Sequence, residues 1–219
     1  MIKRAVFLGH LGLGDHIICQ GMVNKLAPLY DKFYIVSKSH NSDSVRHMCR
    51  HMDHISIIDV IDDNEARIAT NLFDGDKIKV GLFGANWRFK QFGFDEAFYS
   101  QLGMDIEDSF SWMVQDGNCA ETILRKLYPE RDFCFVHDDP SRGYHINPQT
   151  DLPIVRNTIK SQTIFDYLLL LRQAKEIHCM DSSFALMIDR SDINENLFIH
   201  RNVRKHNGVP TYQKKWKIV

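Results

Sequence analysis

The first eighty residues alternate between short apolar runs and stretches in which apolar residues recur at helical spacing. Residues 5–8 form a compact apolar run, a glycine-rich turn follows, and residues 17–26 carry apolar side chains every three or four positions. The pattern continues with predicted strands at 33–36, 55–61 and 78–83, and with predicted helices after Asn41 and at 65–70. Strands that alternate with helices predict parallel pairing and a doubly wound α/β sheet.

The alternation stops in the middle of the chain and then restarts. Residues 87–112 are dense in aromatic side chains, which either pack short helices over the sheet or form an acceptor-binding wall. Beyond them the pattern predicts helices at 120–127, 164–174 and 183–188, and strands at 133–137, 152–155, 176–180 and 197–200. We therefore predict two Rossmann-like lobes facing a central cleft, the first at residues 1–118 and the second at 119–219.

Composition narrows the function classes. The 219 residues carry 27 basic and 28 acidic side chains, a formal net charge of -1. Such a balance argues against nucleic acid as a partner, because phosphate-backbone binding usually needs a basic excess. The five cysteines form no CxxC pair and indicate reduced thiols. With no secretory leader and no membrane-spanning apolar run, we expect a cytoplasmic protein.

The first candidate site is the turn Gly9-His10-Leu11-Gly12-Leu13-Gly14-Asp15. Glycines between a strand and a helix let a ligand approach the backbone N–H groups, so Gly12, Gly14, His16 and the more distant Trp87 are candidate acceptor or cleft residues. The spacing is GxxGxG rather than GxGxxG, and the second strand ends without a carboxylate. Both facts weaken the alternative of an NAD-dependent oxidoreductase.

Asp15 allows two interpretations. It is either the N-cap of the following helix or a general base at the floor of the cleft. The sequence leaves both open.

Two further candidate sites follow strands of the second lobe. In the segment 137–145, His137 ends a strand and Arg142, between Ser141 and Gly143, has the chemistry to bind a phosphate. In the segment 180–186, Asp181, Ser182 and Ser183 precede a helix, where hydroxyl groups and backbone N–H groups suit a diphosphate. An ordinary Asp/Ser helix cap is the competing interpretation.

Asp74-Gly75-Asp76 is a DxD motif, which in GT-A glycosyltransferases holds a divalent metal. Here the motif precedes a strand instead of following one, which favours a turn. We therefore expect no metal site and no cofactor, and we keep a metal-dependent GT-A enzyme using Asp74 and Asp76 as an alternative.

Two segments together resemble a known family. Residues 11–17 (LGLGDHI) and residues 164–186, with their Asp-Ser turn between helices, resemble the signatures of GT-B glycosyltransferases related to lipopolysaccharide heptosyltransferases. The His137…Arg142 pattern resembles, more weakly, the arginine loop of GT-B fucosyltransferases. The resemblance rests on short motifs, but these lie in both predicted lobes.

The resemblance implies an inverting, metal-independent transfer of a sugar from a nucleotide-diphosphate-sugar donor to a glycan or other hydroxyl acceptor. It implies that Asp15 is the catalytic base of an acceptor-side first lobe. It also implies that Asp181, Ser182 and Ser183 bind the donor diphosphate in the second lobe. Ser183 and Leu186 stand where heptosyltransferases have Gly and His, so we expect a hexosyl or deoxyhexosyl donor instead of heptose. A nucleotide-binding module without catalysis is the remaining alternative.

Overall fold

The computed structural model describes residues 2–81, 93–194, 196–203 and 209–219. The chain divides into two compact units, Met1–Trp112 and Met113–Val219, and each contains one parallel β-sheet. The sequence analysis placed the boundary a few residues later, between residues 118 and 119. The predicted class of two Rossmann-like α/β lobes is confirmed.

The sheet of the first unit has the strand order β3-β2-β1-β4. Its strands are β1 (Arg4–Leu8), β2 (Lys32–Lys38), β3 (Ile55–Val60) and β4 (Asp76–Lys79), and all three pairings are parallel. The apolar side chains of β1 are almost fully buried, as a central parallel strand requires. On one face Val6, Leu8, Val36 and Val60 form a core cluster with Ala66.

The helices of the first unit are α1 (Leu13–Leu26), α2 (Ser42–Cys49), α3 (Asp63–Leu72) and α4 (Phe94–Ser100). Residues 16–23 of α1 are all buried, so this helix lies in the interior of the unit. Helix α3 begins after Asp62, whose side chain accepts hydrogen bonds from the N–H groups of Asn64 and Glu65 at 2.9 Å each. Two 3₁₀ turns, Ala27–Leu29 and Ile106–Phe110, complete the unit.

The sheet of the second unit has the order β6-β5-β7-β8-β9 and is also parallel. Its strands are β5 (Cys134–His137), β6 (Ile154–Arg156), β7 (Glu176–Met180), β8 (Leu197–His200) and β9 (Lys217–Ile218). The helices are α5 (Ala120–Leu127), α6 (Leu168–Leu171) and α7 (Ser183–Asp189), with 3₁₀ turns at Pro140–Arg142 and Ile164–Tyr167. Among the described residues, no helix combines the length and apolar character that a membrane crossing requires.

Both strand orders contain a point at which the chain reverses its direction across the sheet. In the first unit this point lies between β1 and β4, and in the second between β5 and β7. Ligands of open α/β sheets bind beyond the carboxyl ends of the strands at such points. The turn after β1, the segment after β5 and the segment after β7 are therefore the places where each unit is built to bind.

Three elements differ from the prediction. The fourth strand was expected at 78–83 but spans Asp76–Lys79, because Gly75 (φ +151°) and Gly81 (φ +73°) turn the chain at its two ends. The helix expected at 164–174 is a 3₁₀ turn followed by one short α-helical segment, Leu168–Leu171. Strand β9 was not predicted, since both of its side chains are exposed and no apolar pattern marks it.

Candidate functional site

The glycine-rich turn after β1 leads directly into α1. Gly12 is the N-cap of this helix, with an extended backbone (φ -72°, ψ 144°), and Gly14 and Asp15 belong to its first turn. The interpretation of Asp15 as the N-cap is therefore wrong. The Asp15 carboxylate folds back over the turn, because a Cβ at Gly12 would lie 2.5 Å from its Oδ2. Any side chain at position 12 would displace this carboxylate.

His16, the next residue of α1, is buried, with 5% of its surface exposed. Burial lowers the pKa of its imidazole to about 4, so the ring is neutral at pH 7. Its Nε2 is buried and has no hydrogen-bond partner within the described ranges. Trp87, the other predicted cleft residue of the first unit, lies outside the described residues.

Asp95, on α4, is a second acidic residue of this region and is completely buried. Burial, followed by the negative charges of Asp15 and Asp95, raises the pKa of the Cys19 thiol well above its usual range. Both carboxylates therefore lie within electrostatic reach of the same thiol on α1. Sequence reasoning missed Asp95 because it stands among aromatic residues, without a glycine turn to mark it.

The described part of the aromatic segment packs against the turn after β1. The Phe98 ring meets the His10 ring edge-on at 5.1 Å, and the Phe94 ring lies 6.2 Å from it. The Tyr99 hydroxyl donates a hydrogen bond of 2.7 Å to the carbonyl of Ile18 in α1. These contacts favour the packing interpretation over the acceptor wall for residues 94–99. Residues 87–92 lie outside the described ranges.

In the second unit, His137 is the last residue of β5. Its ring stacks on Phe184 with 4.1 Å between centroids and an angle of 15°. Burial lowers the pKa of His137 to about 4, against a hydrogen bond with Asn157 that acts in the opposite direction. His137 is therefore a neutral group at pH 7, and its buried Nδ1 has no hydrogen-bond partner within the described ranges.

Arg142 is less available for binding a phosphate than the sequence suggested. It lies in the 3₁₀ turn Pro140–Arg142, where its Nε pairs with the Asp139 carboxylate and its guanidinium lies 5.6 Å from the centre of the Tyr144 ring. Hydrogen bonds from Ser141 and Arg142 lower the pKa of Asp139. The side chain of Arg142 is 57% exposed. A phosphate at this position would compete with Asp139 for the guanidinium.

The turn after β7 holds the other predicted donor residues. Asp181 is buried and accepts a hydrogen bond of 2.8 Å from the Tyr212 hydroxyl. Ser182 is the N-cap of α7 but makes no capping hydrogen bond, and its buried Oγ has no partner within the described ranges. Ser183 is the first residue of α7. Ser182 thus occupies the N-cap position, but no described residue bonds its hydroxyl, which leaves the hydroxyl available to a ligand.

Arg201 is a cation at this edge that sequence reasoning missed. It directly follows β8, and its Nε lies 4.0 Å from Oδ2 of Asp181, beyond hydrogen-bond distance. That Nε is buried and has no hydrogen-bond partner in the described part of the chain. An arginine in the segment that follows a strand is the same signal that selected Arg142.

Three buried polar atoms that no described residue bonds thus lie at one edge of one sheet. They are Nδ1 of His137, Oγ of Ser182 and Nε of Arg201, on residues at or within two positions after the carboxyl ends of β5, β7 and β8. These strands are neighbours in the sheet. Buried polar groups are nearly always hydrogen-bonded, so an unpaired set of this kind calls for an external partner.

Two other candidate sites, the DxD motif and the end of β2, lack the features of a ligand site. Asp74 and Asp76 lie at the amino-terminal end of β4, opposite to the edge where ligands bind. The side chain of Asp74 is 91% exposed and pairs with Arg4 at 2.9 Å, as expected for a turn. At the end of β2, Lys38 pairs with Asp63 at 3.3 Å, and this strand has no carboxylate that would bind a ribose.

The fold is that of known glycosyltransferases. Over its whole length the chain overlays 86% of a glycosyl transferase family 9 protein from Veillonella parvula, with a TM-score of 0.60 and 12% identity. Over 96% of its length it overlays 64% of TibC, an iron-containing dodecameric glycosyltransferase of enterotoxigenic E. coli, with a TM-score of 0.53 and 12% identity. A second TibC structure, a heptosyltransferase in complex with ADP-D-β-D-heptose, gives a TM-score of 0.47 at 11% identity, over 85% of this chain and 55% of that one.

No protein-family model and no curated protein matches the sequence. The resemblance to GT-B glycosyltransferases of the heptosyltransferase type is confirmed at the level of the fold.

Proposed function

We propose that this chain is a glycosyltransferase that moves a sugar from a nucleoside-diphosphate-sugar to a hydroxyl acceptor. The observation that carries the proposal is the set of unpaired buried atoms of His137, Ser182 and Arg201 at the carboxyl edge of the second sheet. A diphosphate offers the acceptor oxygens that a hydroxyl and a guanidinium require. The similarity of the fold to glycosyltransferases gives this chemistry its context.

In this proposal the second unit binds the donor. The Ser182 hydroxyl and the backbone N–H groups at Ser182 and Ser183 donate to the diphosphate, while Asp181 holds the turn in place through Tyr212. Arg201 supplies a positive charge 4.0 Å from the Asp181 carboxylate, with an Nε that no described residue bonds, and Arg142 adds a second one if it releases Asp139. His137 contributes a neutral ring nitrogen.

The first unit receives the acceptor, with Asp15 as the base. A hydroxyl is a weak nucleophile, so its proton must leave as the bond to the anomeric carbon forms. The Asp15 carboxylate lies in the first turn of α1, beyond the carboxyl end of β1, and glycine at position 12 leaves space beside it. Direct attack by the activated hydroxyl inverts the configuration of the anomeric carbon.

The proposal needs no divalent metal for transfer. Arginine and backbone N–H groups neutralise the leaving diphosphate, the role that a metal has in GT-A enzymes. We therefore expect transfer to continue in EDTA. Loss of transfer in EDTA and its recovery with manganese would favour the alternative that uses Asp74 and Asp76.

For the donor sugar we propose only a class. Hexosyl or deoxyhexosyl transfer remains a prediction, which rests on Ser183 and Leu186 standing where heptosyltransferases have Gly and His. A panel of nucleotide-sugars that includes heptose, hexose and deoxyhexose donors tests it. Transfer of heptose alone would refute the prediction for the sugar but not the one for transfer.

The deciding experiment is a thermal-shift panel of UDP, GDP, dTDP, ADP and NAD, followed by transfer assays with sugars of the nucleotide that binds. We expect one nucleoside diphosphate to raise the melting temperature, and Arg201→Gln to weaken its binding about tenfold or more. The exposed Arg125→Gln is the matched control. Stabilisation by NAD alone would end the proposal, and binding without turnover on any acceptor would favour the non-catalytic module.

A further inference from the structure

Three side chains with different metal-ligand chemistry meet on one face of the second sheet. Cys134 is the first residue of β5, Glu176 and His178 lie on β7, and the register pairs Cys134 with Glu176. One sulfur, one carboxylate oxygen and one imidazole nitrogen all lie within 4.8 Å of one another. Paired residues of parallel strands, and residues two apart on one strand, point to the same face, so the register itself creates this cluster.

The spacing inside the cluster suits an ion better than a hydrogen bond. Nε2 of His178 lies 3.6 Å from Oε2 of Glu176, which is too long for a hydrogen bond. Two ligands on a tetrahedral zinc ion, each about 2.0–2.2 Å from it, are roughly 3.3–3.6 Å apart. His178 is 5% exposed, and its buried Nε2 has no hydrogen-bond partner in the described part of the chain.

A second histidine holds the first one in place. Nδ1 of His178 lies 2.9 Å from Nε2 of His200, and the Phe198 ring stacks on His178 at 4.3 Å and 6°. When His178 donates its Nδ1 proton to His200, its Nε2 presents a lone pair toward the Glu176 carboxylate, which is also an acceptor. Two acceptors that face each other in a buried site repel, and a cation between them removes the repulsion.

We propose that Cys134, Glu176 and His178 form a binding site for a divalent transition-metal ion, with zinc as the best match. A thiolate, an imidazole and a carboxylate are zinc ligands, whereas magnesium and calcium prefer oxygen alone. His200 acts from outside the ligand set, where it fixes the ring and the tautomer of His178. Three protein ligands leave a fourth position for water, on the side of the half-exposed Glu176.

This site is separate from the proposed donor edge. His178 lies three residues before Asp181, roughly 10 Å back along the strand at about 3.3 Å per residue. The ion would join β5 to β7 inside the sheet and take no part in sugar transfer. The proposal is therefore independent of the glycosyltransferase function and compatible with metal-independent transfer. No spacing motif marks the site, because Cys134 is far from Glu176 and His178 in the sequence.

The test uses the full chain, stripped of metal with a chelator and titrated with cobalt(II) and then zinc(II). We expect one equivalent of cobalt to produce a thiolate charge-transfer band, and zinc to displace it and raise the melting temperature. Cys134→Ser should abolish the band and weaken zinc binding more than about a hundredfold, because removal of a ligand exceeds the effect of losing an outer partner. Cys119→Ser, which changes a cysteine of the same unit outside the cluster, should keep the cobalt band and the zinc affinity.

No cobalt band in the wild-type chain, or a band retained by Cys134→Ser, would overturn the proposal. If circular dichroism shows that Cys134→Ser does not fold, Glu176→Gln carries the test, since it keeps the volume of a half-exposed side chain. Zinc affinity should then fall at least about tenfold. Unchanged affinity in Glu176→Gln would remove the site.

Discussion

Asp15 owes its position to two residues beside it. Gly12 lacks the side chain that would collide with the carboxylate, and Gly14 continues the glycine-rich turn into the helix. As part of the first helical turn, the Asp15 carboxylate also interacts favourably with the helix dipole, by about 0.3–1 kcal/mol. A base in this position is therefore held by local geometry, and it stabilises the helix in addition.

Asp15→Asn separates these two roles. It keeps the size of the side chain and removes the base, so we expect turnover to fall at least about a hundredfold, while nucleotide affinity stays the same and stability falls by less than about 1 kcal/mol. Turnover, nucleotide affinity and urea unfolding are measured on the same preparation. Asp43→Asn, an exposed carboxylate in the first turn of α2, is the control. Near-normal turnover in Asp15→Asn would place the base elsewhere.

Ser182→Ala should separate ligand binding from folding in the second unit. Loss of a serine N-cap usually costs about 1 kcal/mol, but Ser182 makes no capping hydrogen bond and its buried oxygen has no partner within the described ranges. We therefore expect stability in urea to be unchanged or slightly higher, and nucleotide affinity to fall by about 0.5–1.5 kcal/mol.

Ser191→Ala is the matched control for that variant. The Ser191 hydroxyl donates to the carbonyl of Ile188 at 2.7 Å, so its loss should lower stability and leave nucleotide affinity unchanged. A clear loss of stability in Ser182→Ala without loss of affinity would reduce Ser182 to a structural residue.

The candidate site was predictable where a polar residue directly follows an apolar strand. The ends of β5 and β7 and the two positions after β7 gave His137, Asp181 and Ser182, and the position directly after β8 should also have given Arg201. The pairing of Arg142 with Asp139 was not predictable, because a 3₁₀ turn after Pro140 brings the two together. Which buried atoms lack a partner depends on tertiary packing, and no local pattern encodes that.

Among the elements, strand positions followed from the sequence more closely than helix ends. The helix expected at 164–174 shows why. The carbonyl of Phe165 accepts a hydrogen bond from Gly117, and the Asp166 carboxylate accepts from the N–H groups of Cys119 and Thr163. Gly117 and Cys119 belong to the segment before α5. Their hydrogen bonds occupy a carbonyl and a carboxylate that a regular α-helix would place differently. The period of the apolar residues predicts only which face of a helix is buried. It does not predict hydrogen bonds with residues that are distant in the sequence.

Asp189, at the end of α7, bonds several residues of the chain after residue 209. Its buried carboxylate pairs with Arg190 and accepts from the N–H groups of Gln213 and Lys214 at 3.0 Å and from the Trp216 indole at 3.2 Å. We expect Asp189→Asn to lower the free energy of unfolding by about 3–5 kcal/mol, because it breaks the buried ion pair with Arg190. Urea unfolding measures this.

Asp192→Asn is the control for that prediction. Its exposed carboxylate pairs with Arg172, and exposed pairs contribute less than about 1 kcal/mol. Equal losses in both variants would mean that the buried contacts of Asp189 contribute no more than an exposed ion pair.

At the scale of the whole molecule, two buried histidines make stability depend on pH. Burial lowers the pKa of His16 and of His137 from 6.5 to about 4. Between pH 6.5 and about 4 the unfolded chain binds these protons and the folded chain does not, so stability falls as the pH falls through this window. Each histidine contributes at most about 1.4 kcal/mol per pH unit.

Replacement of both histidines by asparagine should therefore reduce the slope of unfolding free energy against pH between 6.5 and 4, and burial of His178 and His200, which also lowers their pKa values, accounts for part of the slope that remains. Urea unfolding at several pH values measures the slope, and the exposed His51→Asn is the control. The same slope in the double variant and in the wild type would assign the pH dependence to other groups.

Among the residues that the structure describes, each sheet takes its strands from one half of the chain. The strands of the first sheet all lie between residues 4 and 79, and those of the second between residues 134 and 218. A ribosome adds about 5–20 residues per second, so the first sheet is complete in sequence several seconds before the last strand of the second one exists. The first unit can thus fold while the second unit is still being translated. Its apolar strands can be buried without the segments that are synthesised later. The two units are therefore completed one after the other. A ribosome that stalls late in synthesis would leave only the second unit incomplete.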